Sequence, residues 1–393
     1  VHRLITLIAF FALLPIPALA NEGGPYHLDV TYTGEPIRNM RGGIQRGSSY
    51  LDNLDIMLSA ERGSLFGISG LSGLLYVLRN NSSEFSAEYV GDANIVSNID
   101  APGDWRLFEA WLDWAPADSD IYSVRFGLYD LNSEFDAVET AGLFLNGAQG
   151  MGTDFSQSGL NGPSIFPVSS LAIRLAATLE NGAYGQLAVL DGVPGNPDDP
   201  QSNRIDLSSD DGALLVLEGG WSGGDWRKLA IGVWRYTADF DRIGESTPED
   251  DPVQGDGNAG WYLIADRTLW TSGTRMLAGY LRYGQADDRY NAFDSYLGAG
   301  ATLTGFWPRR ATDSVGLGTA TSFTGRPFRS AQELAGEPVD RHETAIELTY
   351  RTALTDWLTL QPSTQYVVNP GTSPALDDAW VIALRFEISF SPW

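Results

Sequence analysis

Hydrophobic and polar positions alternate with period two along much of this chain. The last segment shows it most fully. Trp380, Ile382, Leu384, Phe386, Ile388 and Phe390 fall on one face, and Val381, Ala383, Arg385, Glu387 and Ser389 on the other. Strand side chains point alternately to the two sides, so the spacing predicts a strand over 377–390 with one wholly apolar face. The scheme recurs. Leu54, Ile56 and Leu58 oppose Asp55 and Ser59, and Phe108, Ala110, Leu112 and Trp114 oppose Glu109, Trp111 and Asp113. Tyr122, Val124, Phe126 and Leu128 oppose Ser123 and Arg125. Leu171, Ile173, Leu175 and Leu179 oppose Ser170, Arg174, Thr178 and Glu180, while Ile346, Leu348 and Tyr350 oppose Glu347, Thr349 and Arg351. About sixteen such segments can be marked, from 28–40 to 377–390. Tight glycine turns, such as Glu180-Asn181-Gly182 and Ser222-Gly223-Gly224-Asp225, alternate with long acidic connections such as 192–210 and 239–257.

A soluble sandwich also has alternating strands, with the apolar face turned inward. What stands opposite the apolar face decides between the two. Several polar faces combine Arg with Asp or Glu in mid-strand, which suits the wall of a water-filled lumen with the apolar face against lipid. Tryptophans gather at strand ends (Trp221, Trp226, Trp261, Trp270, Trp357, Trp380), where the girdles of a membrane barrel lie. An even number of strands closes without leaving an edge. The expected fold is therefore all-β: a transmembrane antiparallel β-barrel of about sixteen strands. Its long acidic loops would face outward and its tight turns the periplasm.

The first twenty residues carry a different pattern. His2 and Arg3 precede an apolar run over Leu4–Leu14, and Ala18-Leu19-Ala20 forms a small-x-small site. This is the pattern of a secretory signal peptide, so 1–20 is expected to be a leader and 21–393 a single barrel domain. After residue 20 no apolar run is long enough for a membrane helix.

Charge and composition narrow the function. Fifty acidic residues face 25 basic ones, a net charge of −25, and a nucleic-acid partner needs the opposite sign. Lys228 is the one lysine among the cations. There is no cysteine, which excludes disulfides, thiolate metal sites and cysteine nucleophiles. The 44 glycines, 12 tryptophans, 16 tyrosines and 17 phenylalanines suit a turn-rich β protein.

Five stretches carry a family resemblance. Arg125-Phe126-Gly127-Leu128-Tyr129-Asp130-Leu131-Asn132-Ser133-Glu134-Phe135-Asp136 resembles the carbohydrate-selective porin family of the OprB type. So do Ala141-Gly142-Leu143-Phe144-Leu145-Asn146 and Gly159-Leu160-Asn161-Gly162-Pro163-Ser164-Ile165-Phe166-Pro167. Arg106-Leu107-Phe108-Glu109-Ala110-Trp111 is similar to that family's Arg-Leu-aromatic-Glu-x-Trp strand, and Asp191-Gly192-Val193-Pro194-Gly195 to its next turn. The likeness is dense over 50–200 and thins beyond. It implies an outer-membrane, porin-like barrel that passes monosaccharides such as glucose passively, with no cofactor. It also implies a homotrimer by analogy with other porins, contact with outer-membrane lipid and lipopolysaccharide, and assembly machinery that reads the terminal Trp393. The lumen candidates are Asp55, Arg79, Glu109, Trp111, Asp113, Arg125, Arg174, Glu347, Arg351, Arg385 and Glu387, of which Glu109 and Trp111 match the family strand directly. Guanidinium forks and carboxylates exchange hydrogen bonds with sugar hydroxyls, and aromatic faces stack on a pyranose. A general diffusion pore is the nearest alternative, and the acid excess leaves a weak cation preference open.

Other motifs fail on context. Gly220-Trp221-Ser222-Gly223-Gly224 matches G-x-S-x-G, but an alternating strand follows where a nucleophile elbow needs a helix. Past the leader the histidines are His27 and His342, a thin basis for an outer-membrane hydrolase using Ser222. Gly255-Asp256-Gly257-Asn258-Ala259-Gly260 follows an acidic loop rather than a strand, against the dinucleotide reading. Asp198, Asp199, Glu249, Asp250, Asp251 and Asp256 lack EF-hand spacing, so solvated outer loops are expected there rather than a calcium site. A soluble carbohydrate-binding β protein is the remaining rival class. The long connection 134–167 is either an inward constriction or an outer lid.

Overall fold

A computed structural model describes residues 24–81, 84–119, 121–196, 205, 211–249 and 251–391. The expected leader over 1–20, Trp393, and the acidic Asp198, Asp199 and Asp250 lie outside these residues. The first strands are β1 (Tyr26–Gly43), β2 (Gly47–Ala60), β3 (Leu71–Asn80), β4 (Trp105–Trp114), β5 (Tyr122–Tyr129) and β6 (Ser170–Thr178). They continue as β7 (Ala183–Asp191), β8 (Ala213–Gly223), β9 (Trp226–Tyr236), β10 (Phe240–Ser246), β11 (Pro252–Gly255) and β12 (Ala259–Ser272). The last are β13 (Arg275–Ala286), β14 (Phe293–Thr304), β15 (Ser314–Thr324), β16 (His342–Thr355), β17 (Leu358–Val368) and β18 (Asp377–Phe390). Among the described residues, every strand but β10 and β11 joins one closed barrel in chain order, and β1 pairs with β18 to close it. All the barrel pairings are antiparallel. Each segment marked by alternation is a barrel strand. β10 and β11 form a separate hairpin in the connection from β9 to β12.

The faces are as the pattern predicts. Trp380, Leu384 and Leu348 are 44%, 43% and 49% exposed, whereas Arg174 and Glu347, on opposite faces of their strands, are 3% and 1% exposed. A soluble sandwich would reverse these values, because its apolar faces pack on each other. Exposed Trp114, Tyr122, Trp221, Trp270, Trp357 and Phe390 ring the short-turn end. Trp105, Trp380 and the Trp261–Tyr283 ring pair (5.7 Å) mark the other end. From Trp105 to Trp114 along β4, or from Trp380 to Phe390 along β18, tilted strands climb roughly 25 Å, the height of an outer-membrane apolar band.

A departure from the alternation in β4 bears on the site. A bulge between β3 and β4 falls at Tyr76/Val77, where Glu109 and Leu107 are the paired partners and Phe108 is skipped. Phe108, expected on the lipid face, is instead buried edge-on against Tyr76 (5.2 Å) and near Phe166 (6.1 Å). The extra residue resets the register, so Glu109, Trp111 and Asp113 still share one face below it.

Candidate functional site

Irregular backbone at membrane depth persists only where its N–H and C=O groups find partners. Two connections at the long-loop end turn into the barrel and meet that condition on carboxylates of the wall. The segment 130–169, between β5 and β6, lies along β8–β17. Glu218 accepts from the backbone N–H of Asp136 (3.0 Å) and from the hydroxyls of Tyr262 (2.7 Å) and Tyr184 (2.8 Å). Asp266 accepts from the N–H of Thr140 (2.9 Å). Glu347 accepts from the N–H groups of Leu145 (2.9 Å) and Asn146 (3.0 Å). Arg282 donates through Nε (3.0 Å) and Nη2 (2.6 Å) to Asp136 and through Nη1 to Asp154, all three side chains being buried. Within the segment, Phe155 stacks on Trp234 of β9 at 4.8 Å with nearly parallel rings. Of the two expectations for 134–167, the constriction is the one found.

The second inward segment, 84–104 between β3 and β4, was not expected. Glu343 accepts from the N–H groups of Ala93 and Asn94, both at 2.8 Å. Gln365 donates to the Val96 carbonyl (2.6 Å), and Arg385 to Asn98 Oδ1 (2.8 Å). The two segments also bond each other: Asn98 N–H to Leu145 O and Gly147 N–H to Ile95 O, each at 2.7 Å.

This separates the lumen candidates by task. Glu347 and Arg385 are buried anchors, Arg385 also donating to Glu35 at 2.7 Å. Glu109 is buried as well, and accepts from the Trp111 indole (3.0 Å) and the Asp130 N–H (3.2 Å) at the stem of the long segment. Asp113 accepts from Arg125 (3.0 Å) and Arg174 (2.7 Å), and Arg174 reaches on to Glu134 (3.0 Å). The Arg125 guanidinium lies 3.8 Å over the half-buried Trp111 ring. Gly127 sits opposite Trp111 with φ +142°, where a Cβ would run into the backbone of Ala110 and Trp111, so only glycine lets β5 close on β4 here. Asp55 accepts from the Tyr76 hydroxyl at 2.6 Å. Arg351 and Glu387 pair at 2.6 Å with the Arg351 side chain 46% exposed. They border a cavity of about 400 Å³ whose far wall is Gly142–Leu145 of the inward segment.

Arg79 is a correction. It pairs opposite Leu54, on the face shared with Asp52, Tyr32 and Tyr50, and binds Asp52 at 3.4 Å. That face is the outer one, because the intervening Asn53 and Asp55 carry the inward contacts. Sequence reasoning missed Glu218, Asp266, Arg282 and Glu343. The signal was present for Glu218, which opposes Leu215 and Leu217, and for Arg282, which opposes Leu281 and Tyr283, but not for Asp266, flanked by Ala265 and Arg267, or Glu343, flanked by His342 and Thr344.

Ser222 stands at the end of β8, where the chain turns straight into β9, so the strand-to-helix elbow is not formed. Likewise β12 follows Gly255–Gly260 where a dinucleotide site needs a helix. Among the described residues, no group of three His, Asp or Glu side chains is placed to hold a metal.

The sequence model for the carbohydrate-selective porin, OprB family, matches residues 45–390. The chain belongs to that family. It is an outer-membrane carbohydrate porin. It is 24% identical to Porin B of Pseudomonas aeruginosa, over 93% of this chain and 87% of that one. It is 22% identical to a putative porin, QuiX, of Acinetobacter baylyi, over 73% and 69% of the two chains. Pseudomonas putida OprB, in its high-pH structure, has the same fold, with a TM-score of 0.82, 22% identity and 93% and 94% coverage. In this porin the inward segment 130–169 coincides with the stretches of family resemblance around 125–167.

Proposed function

We propose that this porin passes neutral monosaccharides such as glucose by facilitated diffusion past two stations. The first is the half-exposed Trp111 indole with Arg125 stacked on it, inside a set of two guanidiniums and two carboxylates (Arg125, Arg174, Asp113, Glu134). The second is the Arg351–Glu387 pair beside the cavity under Leu143 and Phe144. Trp111 and Arg125 carry the reading. An indole offers an apolar surface to the ring hydrogens of a pyranose, while guanidinium and carboxylate exchange hydrogen bonds with its hydroxyls. The charges offset one another locally, so a neutral solute meets donors and acceptors without a fixed field. Contacts that are several and individually weak let the solute leave as readily as it enters. No bond is made or broken, and no cofactor is required.

Sugar influx into proteoliposomes tests this. Trp111→Ala is expected to raise the half-saturating glucose concentration about fivefold, the equivalent of roughly 1 kcal/mol, and Trp111→Phe to restore most of it. Unchanged half-saturation in both variants would remove Trp111 from the path.

A further inference from the structure

On a chain with a net charge of −25, three arginines collect at one place on the outer rim. Arg38 stands opposite Ser48 and donates to its hydroxyl at 3.3 Å. Arg41 stands opposite Trp380, and Arg46 lies in the turn between β1 and β2. Arg79 stands apart, opposite Leu54 farther down β2, and is paired with Asp52. Arg38, Arg41 and Arg46 are exposed, and among the described residues none forms an ion pair. The nearby Asp378 is engaged by the Tyr366 hydroxyl and the Asn369 N–H.

We propose that this rim of β1 and β2 binds the phosphorylated head of an outer-leaflet glycolipid. Height is the first argument. Trp380 opposes Arg41, so the arginines lie level with the aromatic girdle at the loop end, where lipid headgroups begin. Chemistry is the second. A guanidinium fork matches phosphate oxygens in pairs, and near a membrane surface each such cation attracts anionic lipid. Continuity is the third. Farther down, past Tyr50 and Asp52, the same outward face of β2 runs through Leu54, Ile56 and Leu58, a strip on which acyl chains can lie. A free anion would use only the upper half of this surface; a phosphorylated, acylated lipid uses both.

The test is native mass spectrometry of the purified barrel in detergent with added lipid A, dephosphorylated lipid A or inorganic phosphate. The wild-type chain is expected to hold phosphorylated lipid A at least roughly tenfold more tightly than the dephosphorylated form. Arg38→Ser/Arg41→Ser/Arg46→Ser is expected to lose that preference while keeping wild-type single-channel conductance, which shows that the variant barrel is folded. Equal retention of the two lipids overturns the proposal. So does displacement of lipid A by stoichiometric inorganic phosphate, which would leave an anion site only. A variant that changes oligomeric state with no change in lipid retention would assign the patch to a second copy of the chain instead.

Discussion

Glu218, Asp266, Arg282, Glu343 and Glu347 on the wall are each matched to a group of an inward segment. Arg282 serves two carboxylates from one loop, Asp136 and Asp154. Removing one partner of a buried set leaves the others charged and unpaired, at a cost of about 3–5 kcal/mol. Arg282→Met is therefore expected to release the segment around 136–154, seen as a higher and noisier single-channel conductance; wild-type conductance would show that Arg282 does not hold the constriction. At the stem, burial and the neighbouring Glu109 push the Asp130 carboxyl from its ordinary 3.8 up to about 8. An acid whose pKa is raised in the folded state binds more protons there than when released, so the stem loses stability as pH rises from about 4 through 8. Hydrogen exchange at Asn132 and Ser133, corrected for intrinsic rates, is expected to show less protection at pH 9 than at pH 6, and Asp130→Asn to abolish the difference. Equal protection at both pH values in the wild-type chain contradicts this. The sequence placed Glu347, Arg385 and Arg174 on the correct side of the wall by parity alone. It could not separate anchors from passage residues, because that depends on which loop backbone comes to rest on each. Arg79 was assigned inward against the parity of its own strand, where Tyr76 and Leu78 are the inward residues.

At the scale of elements, two connections fold inward and bond to the wall of the barrel. The segment 130–169 is held at Asp136, Thr140 and Leu145–Asn146 by three wall carboxylates, and bonds to 84–104 along its far edge. Replacing 137–150 by a short Gly-Ser linker is expected to raise conductance several-fold while the barrel keeps its heat-resistant mobility in gels; unchanged conductance would place the constriction elsewhere. The strands were legible because lipid on one side and water on the other impose period two along each of them. The loops were not. Their residues are fixed by contacts hundreds of positions away, such as Ala93 with Glu343. The β10–β11 hairpin and the helix α1 (Arg326–Ala335) were also unread. Helix α1 buries none of its residues, but Phe328, Ala331 and Leu334 give it a short stripe at helical spacing, and Pro327 in its first turn and Gly336 at its end (φ +81°) are ordinary helix boundary signals, so it was legible.

For the whole molecule, closure leaves the barrel sheet without an edge, and the exposed apolar band makes detergent or lipid a condition of solubility. The acid excess lies largely outside the passage, where Arg125 and Arg174 face Asp113 and Glu134 and Arg351 faces Glu387. Only a slight cation preference is therefore expected from the reversal potential in a salt gradient. The central claim is that a solute-sized passage between the inward segments and the wall binds sugar weakly in transit. Single-channel current in a planar bilayer, measured as glucose is titrated into both chambers, tests it most directly. The account predicts a reversible, saturating fall in current as sugar occupies the path. A current that declines only in proportion to the viscosity of the solution would contradict it.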